Sequence, residues 1–324
     1  EIKRYLNGME LELKSHPLTR CVDTVFWGGG TPGLLTAKDL QRLGSAMLEK
    51  ITRPPIEWTV ELAPSTVKKE KLKVLRDLGV TRISMGVESF SDRLLKTLGR
   101  QHCKRQIFQA IDTINDVGIE NINLDLIFSI PGQTMDDWLS DLKQAIQITP
   151  QHISTYCLTF EEDTALFIRL SQGKIIKKPK EEDALIYEIT RATLEDAGYK
   201  QYEISNYAID GFECLHNKNT WHLYDWIGFG PSAATQYNGR RFVNVASLEQ
   251  WLEGIENGHP NVIDDVKLNA EMLAADCLIF GLRMNGGVHE NKLQRRFPDI
   301  NFSGLQPLWG KLSNDKYLEM LDDK

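Results

Sequence analysis

Apolar positions in the first half of the chain alternate between two spacings. Short runs rich in β-branched residues recur at 22–27, 56–62, 82–87, 122–128 and 152–158. Most are too continuously apolar for half-exposed strands, which suits parallel strands buried on both faces. Between them, apolar residues fall three or four positions apart, as in a helix: Leu40, Leu43, Met47 and Leu48; Leu72, Leu75 and Leu78; Ile107, Ile111 and Ile114; Trp138, Leu142 and Ile146. Three of these stretches run into Gly or Pro just before a strand, at Gly79, Gly118 and Pro150. A strand every 25–40 residues or so is the interval of right-handed β–α units. Repeated five times, it predicts an α/β fold, either a barrel or a doubly wound sheet, with functional residues where strands end and helices begin.

The pattern changes after Leu170. A polar connection spans 173–182, an amphipathic helix 184–197, and an aromatic-rich stretch 199–237; from about Phe242 the chain reads as mainly helical, most clearly over 268–282. The expected division is a barrel over 1–172, an accessory segment over 173–240 and a helical C-terminal domain over 241–324. The opening stretch places Ile2, Leu6, Met9 and Leu13 at helical spacing with no cap before them, so the sequence starts inside a helix.

Composition narrows the function classes. The 324 residues carry a net charge of −7, which gives no overall basic field for nucleic acid. There is no apolar run long enough to span a bilayer as a helix. The five cysteines, at positions 21, 103, 157, 214 and 277, are dispersed and form no C-x-x-C pair. They point to a reducing compartment, bacterial cytoplasm first and mitochondrial matrix as the alternative, and they offer no compact metal site within this sequence. Cys21, Cys157 and Cys277 lie in apolar periodic segments and read as core thiols. The lysine-rich stretch 174–180 reads as a solvated connection, and Asp322 and Asp323 as tail charges.

Four strand ends carry candidate chemistry. The first runs into Gly28-Gly29-Gly30-Thr31-Pro32, where glycines let the backbone approach a ligand and expose amide donors. The second ends at Glu61 and the third at Glu88, either of which can accept ribose hydroxyls or an ammonium group, or be a solvated rim charge. Arg100 follows a short helix and suits a carboxylate clamp or a surface ion pair. Asp125, set among Leu124, Leu126 and Ile127, is costly to bury without a partner and so predicts a specific one, a ligand or a structural cation. Together these groups suit a small zwitterion bearing ribose; a nucleotide fits the same charges.

The ordered set GGGTPG, ELAP, GVTRISMGVESF, LGRQH, NLDLIFSIPGQT, YCLTFEEDT, YEISNYA, HNKNTW and GFGPSA resembles the radical S-adenosylmethionine (SAM), coproporphyrinogen-oxidase-like family. The resemblance implies a partial, six-stranded (β/α) barrel, with its first strand and a CxxxCxxC motif for a [4Fe–4S] cluster expected upstream of Glu1. It implies that Gly29, Gly30 and Thr31 contact the methionyl part of SAM, and that Glu61, Glu88, Arg100 and Asp125 match further SAM-contacting positions. The family often has Gln in place of Glu88 and Gly in place of Ser129. Two branches are implied: oxygen-independent coproporphyrinogen III dehydrogenases, and haem chaperones of the HemW type that deliver haem to respiratory proteins. An upstream stretch of about 50 residues would bring the chain to the length of the chaperone branch, which is the preferred reading. HNKNTW is similar to that branch's HNxxYW motif, with Thr220 replacing the tyrosine. By resemblance His216 is the axial haem ligand, with Cys214 and His222 as nearby rivals. The resemblance leaves catalytic residues unassigned and adds a haem-recipient protein as partner.

Overall fold

The computed structural model describes residues 1–16, 21–162, 164–258 and 260–319; Asp322 and Asp323 lie outside them. After α1 (Ile2–Ser15), five strands alternate with helices: β1 (Thr24–Trp27), α2 (Ala37–Leu48), β2 (Glu57–Leu62), α3 (Lys69–Leu78), β3 (Arg82–Glu88), α4 (Asp92–Thr97), α5 (Lys104–Val117), β4 (Asn121–Phe128), α6 (Met135–Ile148) and β5 (His152–Cys157). The strands pair in chain order, all parallel, and curl into a partial barrel. All five expected strands are present, each within two residues of its predicted limits.

Alternation along the strands sorts their residues onto two faces. Trp58, Val60 and Leu62 of β2, Ile83, Met85 and Val87 of β3, and Leu124, Leu126 and Phe128 of β4 pack outward in the main core. There they meet Leu40, Leu72, Leu75, Ile107, Ile114, Trp138 and Leu142 of the helices. The other face is polar: Glu57, Thr59 and Glu61; Arg82 and Ser84; Asn123 and Asp125; His152 and Ser154. The strands are therefore closed on both faces, but one face is a wall of hydrogen-bonding groups. Thr36 and Thr134 start α2 and α6 with reciprocal capping boxes to Asp39 and Asp137.

The C-terminal part is mainly helical, as expected, and the second half adds strands that the sequence did not reveal. After α7 (Ala165–Ser171) and α8 (Lys180–Asp196), strands β6 (Lys200–Glu203) and β7 (Asn206–Ala208) form a hairpin that extends the barrel sheet antiparallel along β5. The barrel sheet thus has seven strands and runs past residue 172 into the accessory segment. Helix α9 (Leu215–Trp221) follows, then β8 (Ala234–Tyr237), β9 (Arg240–Asn244), α10 (Leu248–Glu256) and β10 (Val262–Lys267). Helices α11 (Ala270–Gly281), α12 (Glu290–Arg296) and α13 (Gln306–Asn314) end the chain. Strands β8, β9 and β10 make a separate three-stranded antiparallel sheet. Two of these strands fall where helix was expected. Their sequences, RRFVN and VIDDVK, lack a period-two apolar pattern because β10 is mostly exposed.

Two cysteine expectations are also corrected. Cys277 is buried as a core thiol, but Cys21 and Cys157 are exposed. Cys21 precedes the start of β1, and Cys157 is the last residue of β5, where the sheet opens to solvent.

Candidate functional site

The carboxyl ends of β1 to β4 bring the predicted rim residues together. β1 leads directly into the loop at 28–31. Gly29 has φ +76°, a left-handed conformation that side chains resist. Its N–H donates to Glu61 Oε2 at 3.2 Å, and a Cβ on Gly28 would fall 2.6 Å from the Glu61 carboxyl. The backbone can lie against Glu61 only without a side chain there. By contrast, nothing lies within 4 Å of the Cβ directions of Gly29 and Gly30, so the loop presents open backbone to the rim. Thr31 follows, exposed.

Glu88 ends β3 beyond a bulge at Gly86 and Glu88, and its own φ is +64°. This strained exit aims the carboxylate at Arg100, whose Nη2 lies 2.6 Å from Glu88 Oε1. The rest of the guanidinium is exposed enough to receive a second carboxylate. Asp125, on β4, accepts from Ser84 Oγ at 3.0 Å and from Asn123 Nδ2 at 2.8 Å. Where the sequence suggested a ligand or a structural cation, the partners present are these two neighbouring side chains. Ser129, in the loop after β4, also has positive φ (+62°), and its hydroxyl donates to Asp183 Oδ1 on α8 at 2.5 Å. That backbone conformation is a physical reason for glycine to be common there.

The rim concentrates three acidic groups whose ionisation burial and mutual repulsion oppose. Burial raises the Glu61 carboxyl to about 7, helped by the charge of Asp125 and opposed by the Gly29 amide. Burial also raises Glu88 to about 7; Arg100 pulls it down, while Asp125 and Glu61 push it up. Asp125 is shifted upward by burial, against its bonds from Asn123 and Ser84. Three mutually repelling carboxyl groups beside one arginine favour an ammonium-bearing zwitterion. The donor set, three acids, one arginine and an open glycine loop, is chemically compatible with SAM.

His216 lies elsewhere. Its helix, α9, packs at the amino ends of β1 and β2. Glu57 accepts from Leu215 N at 2.8 Å, His216 N at 2.9 Å and Cys214 Sγ at 3.4 Å. The His216 ring stacks on Phe26 at 5.0 Å, and its Nδ1 is 3.2 Å from Thr24 Oγ1. Gly28 lies four residue steps beyond Thr24, so this motif sits roughly 13 Å along the strand from the rim. Burial lowers the His216 pKa, which keeps its imidazole neutral and able to bind iron. Cys214 is buried and its thiol is pushed up to about 12, which disfavours thiolate ligation; His222 is exposed. Among the described residues no group of three or more His, Cys, Asp or Glu side chains could hold a metal ion.

A Radical SAM superfamily model matches residues 10–145, which span α1 to most of α6. The chain is 34% identical to the haem chaperone HemW of Bacillus subtilis over 313 residues, 94% of this chain and 82% of that protein. The chain belongs to the HemW family of radical SAM proteins. It is also 30% identical to the mitochondrial radical S-adenosyl methionine domain-containing protein 1 of Danio rerio, over 97% of this chain and 73% of that one. The fold of this HemW-family chain is that of Escherichia coli coproporphyrinogen III oxidase, with a TM-score of 0.85, 22% identity, and cover of 100% of this chain and 78% of the other.

Sequence reasoning missed the groups beneath the rim: Glu57, Arg82, Ser84, Asn123, His152 and Tyr202. All but Tyr202 occupy every-second positions in β2 to β5, a polar alternation hidden within runs read as continuously apolar. Tyr202 carried no signal, because β6 reaches β5 only through the hairpin.

Proposed function

We propose that this protein is a haem chaperone that binds haem and passes it to haem-dependent proteins of respiration, with SAM and a [4Fe–4S] cluster as cofactors of the full-length protein. The observation that carries this reading is the relationship to a protein named haem chaperone HemW across 94% of the chain. The SAM-compatible rim supports the cofactor part of it. With SAM bound, a reduced cluster supplies one-electron chemistry. This chain's own residues bind and orient: Glu61, Glu88 and Asp125 take the cationic and hydroxyl-bearing parts, Arg100 takes the carboxylate, and Gly29 to Thr31 hold the methionyl part. His216 is the proposed haem ligand, its second ring nitrogen steadied by Thr24. The reading places the protein in bacterial cytoplasm or the mitochondrial matrix; no helix among the described residues is long and apolar enough to cross a membrane.

The shared fold with coproporphyrinogen III oxidase favours one rival, oxidative decarboxylation of coproporphyrinogen III. Haem titration followed at the Soret band, beside a decarboxylation assay on the cluster-loaded protein, separates the two. The proposal expects haem binding that weakens more than about tenfold in His216→Ala and little in His222→Ala, because losing an axial ligand removes the main coordinate bond. Turnover of coproporphyrinogen III without haem binding would establish the rival.

A further inference from the structure

A line of buried side chains joins the SAM rim to the HNKNTW helix. Asn123 Nδ2 donates to Asp125 Oδ1 at 2.8 Å and to Ser84 Oγ at 2.8 Å. Both amide hydrogens are thus used on that side, so Asn123 Oδ1 faces the other way. There it accepts from Ser154 Oγ at 3.1 Å and lies 2.5 Å from His152 Nδ1. An amide oxygen only accepts, so His152 carries its proton on Nδ1. Full burial, reinforced by the charge of Arg82, holds the His152 pKa well below its usual value and keeps the ring neutral. Its Nε2 must then accept, and the Tyr202 hydroxyl is 3.0 Å away as the donor. Tyr202 itself belongs to a small apolar cluster with Cys214, against which Trp221, the last residue of HNKNTW, packs.

Every bond of this line points the same way: Tyr202 to His152, His152 to Asn123, Asn123 to Asp125. Donors aligned head to tail polarise one another, and here they end on a carboxylate. The links come from β6, β5 and β4, so the line crosses the barrel interior toward the rim.

We propose that Tyr202 and His152 are positioning residues that hold Asp125 as a hydrogen-bond acceptor for SAM from the opposite end of the barrel. The inference rests on the reading of the rim as a SAM site. Neither residue touches the ligand; both act through Asn123.

Calorimetric SAM titration of the full-length, cluster-loaded protein tests this, together with ¹⁵N spectra of the His152 ring. Tyr202→Phe removes one donor without changing shape and is expected to weaken SAM binding about fivefold. It should also move the His152 Nε2 resonance. Tyr199→Phe is the control: its hydroxyl, buried in the same region, donates to the Pro150 carbonyl off the line. It should lower thermal stability and leave SAM affinity alone. Wild-type affinity retained in Tyr202→Phe would overturn the inference while leaving the SAM rim standing, and so would an equal loss in Tyr199→Phe. A wild-type protein that binds no SAM would overturn the reading of the rim and this inference with it.

Discussion

Glu61 and Glu88 hold their protons far above the usual value of 4.5, and the direction of that shift fixes how stability depends on pH. A carboxyl whose pKa is raised on folding makes the folded chain bind more protons than the unfolded chain. Its contribution is fully present below about pH 4.5 and is lost as the pH rises through about 7. The ligand-free protein should therefore lose stability between about pH 5 and 8, measured as a falling melting temperature. A cationic ligand acts oppositely, because it binds the ionised pair; SAM affinity should climb over the same range and level off above about pH 8. Glu61→Gln removes the buried charge while keeping an acceptor for Gly29. It should raise stability at pH 8 by about 2 kcal/mol and weaken SAM at least tenfold. A Glu61→Gln protein with wild-type SAM affinity would remove Glu61 from the site. Glu61 and Glu88 were legible in the sequence because each lies at the carboxyl end of a strand, and the barrel rule says where strand ends point. Glu57, chemically identical, was not: it starts its strand, and only the fold shows that it receives the amides of α9.

At the scale of elements, the β–α units were legible because their stops follow from backbone sterics. α3 and α5 close with Gly79 and Gly118 in the left-handed region, at φ +97° and +83°. α6 closes in the same conformation with Thr149, a β-branched residue, at φ +54°. The fold thus carries at Thr149 a steric cost that it avoids at the other two stops. Thr149→Gly should stabilise the protein by about 1 kcal/mol, read from denaturant midpoints; no gain would mean that the Thr149 hydroxyl, which donates to Ile148 O, offsets the strain. Ser129 offers a sharper comparison. Ser129→Ala and Ser129→Gly lose the same bond to Asp183, but only glycine relieves the positive φ. Glycine should come out above alanine by about 1 kcal/mol, the reverse of their order inside a helix. The hairpin β6–β7 and the small sheet were not legible, since three- to six-residue strands rich in Arg, Asp and Lys differ little from loops until a neighbouring strand pairs with them.

Across the whole molecule, the first helix is bound to the last third of the chain in two ways of very different weight. On the surface, Arg4 meets Glu249 at 2.7 Å and Glu256 at 3.3 Å on α10, with all three side chains about half or more exposed. Solvent screens such pairs, so Arg4→Ala should leave the unfolding transition almost unmoved. Eight residues on, Glu12 is buried and accepts from Gly230 N at 2.7 Å, Asn244 Nδ2 at 2.8 Å and Trp251 Nε1 at 3.3 Å. Those donors come from the loop before β8, from β9 and from α10, so one carboxyl ties three separate stretches to α1. Burial raises its pKa despite the three bonds. Asn244 spends its other amide hydrogen on the Gly230 carbonyl, so it has none to spare if Glu12 is lost. Glu12→Ala would strand a hydrogen on each of the three donors beside Leu13 and Trp251, at about 1–3 kcal/mol for the worst of them and about 3–5 kcal/mol together. Glu12→Gln keeps one acceptor oxygen but turns an amide toward the other donors, and should cost about half as much. The expected order of melting temperatures is wild type, then Arg4→Ala close below it, then Glu12→Gln, then Glu12→Ala. If Arg4→Ala fell as far as Glu12→Ala, the surface pairs rather than the buried carboxyl would be what holds α1 against α10.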